Sequence, residues 1–158
     1  MKTKKAPVSK KKSKKSWTEK LNDAKDLPKI IKLNAEAAKR WGGKTMVIPA
    51  PIEVNEIMKT VKKGKILTIN DIRKKLSEKH KVEAACPITT GIFAWIASHA
   101  AEEARLAGKK RITPYWRTIK SDGVLNEKYP GGAIIQKKML ESEGHEIIKT
   151  GKNYKLVM

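Results

Sequence analysis

Apolar residues recur at helical spacing in two neighbouring segments near the middle of the chain. The first segment has one apolar face, formed by Ile69, Ile72 and Leu76. Thr68, followed three residues later by Asp71, resembles a capping box and predicts that this helix begins there. The second segment starts at Pro87, which suits a first helical turn, and Gly108 ends it. Two helices joined by a short connection predict a helix-turn-helix, with the second as its recognition helix.

The predicted recognition helix carries a stripe of large side chains and a polar start. The stripe residues fall at spacings of three and four and share a face: Ile88, Ile92, Trp95, Ile96 and His99. Thr89 and Thr90 lie in the first turn, where hydroxyl and backbone N–H groups bind phosphate. As helix-start residues the two threonines are equally ordinary, so a purely structural role stays open.

The segment after this helix, residues 111–125, predicts the strands of a wing. A turn is expected at residues 121–123, because Gly supplies a positive φ and Asp bonds its own backbone. Basic side chains beside a wing hold phosphates, and they position a protein on a duplex without reading its sequence. The predicted phosphate contacts here are Lys109, Lys110, Arg111 and Lys120.

Four weaker patterns complete the set of predicted elements. A short helix over residues 35–41 ends at Gly42-Gly43, and approximate helical spacing runs from Ile52 to Val61. Residues 146–149 and 154–157, with a turn between them, predict a hairpin. A last helix after Gly132 has a predicted inward face of Ile134, Ile135, Met139 and Leu140.

These elements predict an α/β (α+β) fold, a winged helix-turn-helix domain with a basic N-terminal arm. Residues 1–16 form a disordered Lys-rich arm, because they contain too few apolar residues to bury a core. Residues 17–48 are an N-terminal extension with no chemistry of its own. Residues 49–158 form the winged-helix domain and its C-terminal hairpin.

Charge points to a polyanionic partner. The 158 residues carry a net charge of +20, and the first 16 residues contain eight lysines and no acidic residue. Such a balance favours nucleic acid, DNA or RNA, bound with a steep salt dependence. The alternatives are a heavily solvated surface and, for the arm, a solubility tail. No apolar run approaches the ~20 residues of a membrane span, and no signal peptide is recognisable.

Cys86 is the one cysteine, which excludes an internal disulfide and fits a cytoplasmic protein, nucleoid-associated if the cell is prokaryotic. A helix N-terminus favours a thiolate, so Cys86 is a candidate reactive thiol if His80 or His99 lies nearby. A small cysteine at a helix start is more often structural. The histidines and the cysteine lack metal-ligand spacing, no cofactor fingerprint is present, and a monomer is expected.

Several short motifs carry a family resemblance over roughly residues 50–145. They are Gly64–Thr68, Pro114–Arg117, Asp122-Gly123, Tyr129, Gly131-Gly132 and Leu140–Gly144. Together they resemble the C-terminal DNA-binding domain of alkylguanine-DNA alkyltransferases, the methylated-DNA–protein-cysteine methyltransferase family. That family flips an alkylated guanine out of DNA and transfers the alkyl group to a cysteine. The resemblance implies a winged-helix domain that binds duplex DNA.

The departures from the family pattern fall on its reactive residues. Tyr115 stands where the family has its nucleophilic cysteine, and Trp116 stands where it has histidine. Of the family's Cys–His–Glu relay only Glu143 is kept, so all three positions are vestigial. The arginine that fills the gap of the flipped base has no counterpart in residues 89–92. Ile69 replaces the tyrosine of the first helix. The chain is therefore similar to alkyltransferase-like proteins, which bind lesions without alkyl transfer.

The resemblance implies a base pocket, formed by Tyr115, Trp116, Arg117, Tyr129, Gly131 and Gly132. Its rings would stack on a base, which contributes about 1–3 kcal/mol per base, or they would fill the vacated pocket as core. Arg117 would join the wing to the glycine loop, or contact phosphate. The predicted function is non-catalytic DNA binding, with sensing of an alkylated or extrahelical base. A nucleic-acid-coating architectural protein and a methyltransferase that uses Cys86 are the alternatives.

Overall fold

A computed structural model describes residues 15–157, so nearly all of the predicted basic arm lies outside the described residues. The described helices are α1 (Trp17–Asn22), α2 (Ala35–Trp41), α3 (Pro51–Lys59), α4 (Ile69–His80), α5 (Pro87–Leu106) and α6 (Gly132–Ser142). The strands are β1 (Lys29–Lys32), β2 (Thr45–Ile48), β3 (Leu67–Thr68), β4 (Ala84–Ala85), β5 (Thr118–Ile119), β6 (Ile147–Thr150) and β7 (Asn153–Leu156). The predicted α+β class is confirmed.

The strands form three small sheets that join distant parts of the chain. In the first, β2 pairs antiparallel with β1 and parallel with β4, with Met46 opposite Ala84. The second pairs β3 with β5 in parallel. The third is the predicted C-terminal hairpin, β6 with β7. Since β4 runs directly into α5, the first sheet ties the N-terminal extension to the start of α5.

The main core surrounds α5, which presents its small side chains to the interior. Its buried face consists of Thr90, Ala94, Ala97, Ser98, Ala100 and Ala101. Val54 and Met58 of α3 and Ile72 and Leu76 of α4 pack into the same core and are fully buried. Small residues let neighbouring helices approach closely, so the large stripe residues Ile88 and Ile92 are left facing solvent. The predicted stripe is therefore not the core face.

Local chemistry fixes where α4 and α1 begin. The hydroxyl of Thr68 accepts from the backbone N of Asp71 (3.1 Å), and the carboxylate of Asp71 accepts from the backbone N of Thr68 (2.9 Å). This confirms the predicted capping box. Helix α1 is anchored from a distance, because the Glu103 carboxylate of α5 accepts from the backbone N of Trp17 (3.1 Å) and of Thr18 (2.9 Å).

The predicted wing over residues 111–125 is wrong. Tyr115–Arg117 form a 3₁₀ turn, and within this segment only β5 is a strand, paired in parallel with β3. The physical reason is Gln136, whose buried amide donates to the carbonyls of Trp116 and Thr118 (3.1 Å each). A hairpin partner would have to replace these bonds. Near the end of this segment, Val124 makes an isolated antiparallel bridge to Lys155 of the β6–β7 hairpin.

The predicted inward face of α6 is wrong in part. Leu140 is fully buried as predicted, but Ile134 and Ile135 are exposed. The second fully buried side chain of this helix is the polar Gln136. Hydrophobic periodicity misses a buried amide whose hydrogen bonds all go to the backbone. Among the described helices, none is long and apolar enough to cross a bilayer.

Candidate nucleic-acid interface

An open groove lies between the start of α5 and the loop that follows β5. It encloses about 550 Å³. One wall is apolar and comes from α4 and α5: Ile69, Pro87, Ile88, Gly91, Ile92 and Trp95. The opposite wall is polar and basic: Lys120, Ser121, Asn126 and Lys128. We call these ten residues the base groove.

The apolar wall of the base groove is unusually exposed. Ile88 is 59% exposed and Ile92 is 44% exposed, in the first two turns of α5. Trp95 continues the wall and is backed by Trp17, whose ring contacts it edge-on with centroids 4.9 Å apart. Exposed apolar residues grouped in a concave site mark a binding surface more often than isolated ones do. Sequence reasoning placed Ile88, Ile92 and Trp95 on one face of this helix but did not assign that face to a binding site.

The polar wall is held by hydrogen bonds to the body of the protein. The backbone N of Asn126 donates to Oε1 of Gln136 (2.8 Å), and the Asn126 side chain accepts from the backbone N of Lys128 (2.9 Å). The Lys128 carbonyl accepts from the Nε2 of His99 (2.8 Å). These bonds fix the loop backbone, while the Lys128 amine remains on an exposed side chain. The groove is therefore preformed.

The six predicted phosphate contacts separate in the structure. Lys120 lines the base groove. Lys109, Lys110 and Arg111 lie beyond the other end of α5, where they line a different cleft of about 780 Å³ beside Trp116. Thr90 is a correction: it is fully buried, and its hydroxyl donates to the Cys86 carbonyl (2.6 Å), so it does not reach a phosphate.

Thr89 is partly buried and its hydroxyl oxygen is shielded from solvent, without a hydrogen-bond partner in the described part of the chain. Its role as a phosphate contact stays a prediction.

Cys86 is the N-cap residue of α5 and is half-buried. Of its two suggested bases, His80 contacts Glu53 (2.7 Å) and His99 stacks on Trp17. A reactive role for Cys86 stays a prediction. Residues 15–157 contain no cluster of three or more side chains suited to hold a metal.

Tyr115 belongs to the core. It is 2% exposed and packs edge-on against Trp116 and Tyr129, with ring centroids 5.4 Å and 5.8 Å apart. Burial, and secondarily the charge of Glu102, raises the pKa of Tyr115 above its ordinary value. Burial likewise raises the pKa of Tyr129. The two tyrosines thus fill the space between α5 and α6, and their phenols stay protonated.

Glu143 is the centre of a buried ion pair. Trp116 Nε1 donates to it at 3.0 Å, and Arg117 donates through Nε (3.0 Å) and Nη2 (2.8 Å). Arg117 also donates to the Val61 carbonyl (2.7 Å). Burial alone would raise the pKa of Glu143, but the bonds from Arg117 and Trp116 outweigh it and lower the pKa. Trp116 therefore keeps Glu143 hydrogen-bonded, and Arg117 is occupied inside the protein.

None of the predicted pocket residues lines the base groove. Tyr115 and Tyr129 are buried, and Trp116 and Arg117 face the cleft that contains Arg111. Gly131 and Gly132 form the turn into α6, both with positive φ. These residues support the groove from behind, since α6 carries the Gln136 that fixes Asn126.

The Gly131-Gly132 turn gives a matched pair of substitutions. Alanine at either position adopts a left-handed conformation that costs about 1–2 kcal/mol. At Gly131 the added Cβ would also lie 2.7 Å from Ile135 Cβ, whereas at Gly132 the nearest atom is 3.7 Å away. We expect Gly131→Ala to lower the free energy of unfolding by about 1–3 kcal/mol more than Gly132→Ala, as overpacking does. Urea denaturation measures both. Equal losses would show that the Ile135 contact is unimportant, and adding Ile135→Ala should narrow the gap.

Comparison with known proteins gives two similar solved structures. No protein-family model matches the chain, and no curated protein sequence matches it. A crystal structure of S. pombe ATL in complex with DNA matches with a TM-score of 0.50 at 24% identity, over 68% of this chain and 87% of that one. S. pombe Atl1 bound to damaged DNA containing O6-carboxymethylguanine matches over the same shares, with a TM-score of 0.47 at 22% identity. The predicted resemblance is confirmed at the level of the fold: this chain has a winged-helix-like α+β fold similar to that of S. pombe ATL.

Proposed function

We propose that this protein binds duplex DNA without catalysis and accommodates an extrahelical or alkylated base in the base groove. The observation that carries the proposal is the groove itself, which is lined by the exposed side chains of Ile88 and Ile92 and by two exposed lysines, Lys120 and Lys128. Its volume lies in the range of about 300–1,000 Å³ that is typical of small-ligand sites. The DNA-bound S. pombe proteins of similar fold support DNA as the partner.

The two walls suit the two parts of a nucleotide. Apolar side chains of minor-groove proteins enter between base steps and unstack them. Ile88 and Ile92 are placed to do this, because they project from the start of α5. An unstacked base would then lie against Trp95, while the amines of Lys120 and Lys128 bind its flanking phosphates. The net charge of +20 supplies the remaining, sequence-independent attraction.

Catalysis has no support from the family's reactive position. Tyr115 is buried and protonated, and its hydroxyl lies 4.0 Å from the sulfur of Met139. Trp116 takes no proton at neutral pH and serves Glu143 only as a donor. The proposed function is therefore recognition, in which any chemistry on the base is done by another protein.

The test compares groove variants on duplexes with and without an O6-alkylguanine or an unpaired base, by fluorescence anisotropy in a salt series. We expect Ile88→Ser to reduce the preference for the altered duplex about fivefold, the effect of ~1 kcal/mol. Lys128→Ala should weaken binding to all duplexes alike and reduce the salt slope by about 1. Ile134→Ser is the matched control, since this isoleucine is 46% exposed but lies outside the groove.

Three outcomes would contradict the proposal. Equal binding of all duplexes by the wild-type protein would favour the alternative of coating by charge alone. If Ile88→Ser reduced the preference for the altered duplex no more than Ile134→Ser does, the groove would not be the site that holds the base. A mass gain on Cys86 after incubation with alkylated DNA would show that the protein is an alkyl acceptor.

A further inference from the structure

A second concavity lies next to the base groove and is lined by a neighbouring part of α4. It encloses about 490 Å³ and is open to solvent. Its basic lining comes from two helices, with Lys39 and Arg40 on α2 and Arg73 and Lys74 on α4. Trp41 lies among them, with the Arg40 guanidinium 6.0 Å from its ring centroid. We call these five residues the α2 patch.

In the described part of the chain, the cationic side chains of the α2 patch form no salt bridges with acidic side chains. Arg73 is held in place, since its Nε donates to the Ala85 carbonyl (2.8 Å) and its Nη1 to the Asn70 side chain (3.1 Å). One acidic residue, Glu83, lines the concavity, and its carboxylate accepts from the backbone N of Lys44 (2.6 Å).

Helix α2 contributes nothing to a core, because none of its residues is buried. Its position is set from outside: Asn34 caps its start, Gly42 ends it, and the β1–β2 pair flanks it in sequence. The backbone continues into β2, which pairs with β4 at the entry to α5. The extension thus holds a basic, solvent-facing helix in a fixed position relative to the recognition helix.

The α2 patch and the base groove form one continuous surface across the start of α4. Ile69 lines the groove, and the next residue, Asn70, lines the concavity. The backbone N of Asn70 donates to the hydroxyl of Ser121 in the groove wall (3.1 Å). In the segment that joins β4 to α5, Ala85 lines the concavity and Pro87 lines the groove. A polyanion that occupies the groove therefore continues onto the patch.

We propose that the α2 patch is a second DNA-backbone site, which binds phosphates that flank the base held in the groove. This inference rests on the proposed function and assigns a role to the N-terminal extension. Four cationic side chains from two helices match a row of phosphates, and they outnumber the single aromatic ring of the patch, Trp41. The patch lengthens the DNA footprint and adds affinity independent of sequence.

The test uses the variant Lys39→Ala/Arg40→Ala/Lys74→Ala on duplexes of about one and about two helical turns. On the longer duplex we expect the slope of log K against log salt to become shallower by about 2–3, since each lost phosphate contact removes about 0.9. On the shorter duplex, in which the altered base is placed at the end so that no backbone continues past it onto the patch, the slope should match the wild type. All three side chains are exposed, so circular dichroism should be unchanged.

The matched control removes the same charge elsewhere, in Lys138→Ala/Lys149→Ala/Lys152→Ala, from exposed positions of α6 and the β6–β7 hairpin. This control variant should leave the slope of log K against log salt unchanged on both duplexes. The proposal is overturned if the two triple variants behave alike, or if the patch variant loses the same slope on both duplexes. Equal loss on duplex RNA would overturn the assignment to DNA. Failure of the base-groove proposal is distinguishable, because it would abolish the preference for an altered base while leaving the length-dependent slope.

Discussion

Glu143→Gln should lower the free energy of unfolding by about 3 kcal/mol or more, because it leaves the Arg117 charge buried without its partner. The side chains of Arg117 and Glu143 are 14% and 7% exposed, so water cannot compensate. The glutamine keeps the shape of the carboxylate but places an amide donor among the donors of Trp116 and Arg117. Urea denaturation measures the loss.

Glu141→Gln is the matched control for this prediction. Glu141 lies on the same helix and pairs with Lys137 at 3.1 Å, but its side chain is exposed. An exposed pair contributes about 0–1 kcal/mol, so its loss should be small. Equal effects of the two substitutions would show that the Arg117–Glu143 pair does not stabilise the fold.

The same pair predicts a pH dependence. The folded pKa of Glu143 lies below its ordinary value of 4.5, so the unfolded state binds the proton more readily. The stability contributed by Glu143 is complete above pH 4.5 and is lost as pH falls through the folded pKa. Wild-type protein should therefore destabilise in acid more steeply than Glu143→Gln. Parallel profiles of unfolding free energy against pH for the wild type and Glu143→Gln would contradict this assignment. Glu53, whose pKa is also lowered, contributes to the profiles of both proteins.

Gln136→Leu should cost about 3 kcal/mol or more and should also loosen the base groove. The fully buried amide serves three backbone groups, the N of Asn126 and the carbonyls of Trp116 and Thr118. Leucine has a similar volume but leaves these groups unsatisfied, at about 1–3 kcal/mol for each buried group. Release of Asn126 frees the polar wall of the groove, so preference for an altered base should fall in conditions where the variant is folded.

Lys138→Leu is the control, because it adds the same side chain at an exposed position of α6. Surface substitutions of this kind usually stay within about 0.5 kcal/mol. A stable Gln136→Leu variant would mean that water or a backbone shift satisfies the three groups. A destabilised variant that keeps its full preference for an altered base would show that Gln136 stabilises the fold but is not needed by the groove.

The parts of the fold that were predictable from the sequence are those set by neighbouring residues. The Thr68–Asp71 cap, the α5 start at Pro87 and the β6–β7 hairpin each depend on local chemistry, and all were predicted. The resemblance around Gly131-Gly132 indicated the fold as well, because spaced motifs constrain long-range topology. Helix α5 was predicted in extent, but its core face was not assigned.

The parts that failed depend on long-range polar contacts. The wing over residues 111–125 was mispredicted because Gln136, far along the chain, takes the carbonyls of that segment. The base pocket expected at Tyr115 and Trp116 stays a prediction: edge-on packing against Tyr129 buries the first ring, whereas the second donates to Glu143 and lines the cleft of about 780 Å³. No periodicity encodes such contacts, and the base groove appears only once α5 and the Asn126 loop are placed together.

The docking of α1 has a consequence for the Lys-rich residues that precede it. Trp17 stacks on His99 and contacts Trp95, which lines the base groove, so the chain enters the described structure beside that groove. Under the proposed function, covalent attachment at this point would make phosphate binding by the first 16 residues an intramolecular event. We then expect effective concentration to govern its strength, so that the arm raises avidity for DNA held by the groove. A free peptide of the same sequence would have to be supplied at millimolar concentration to match it.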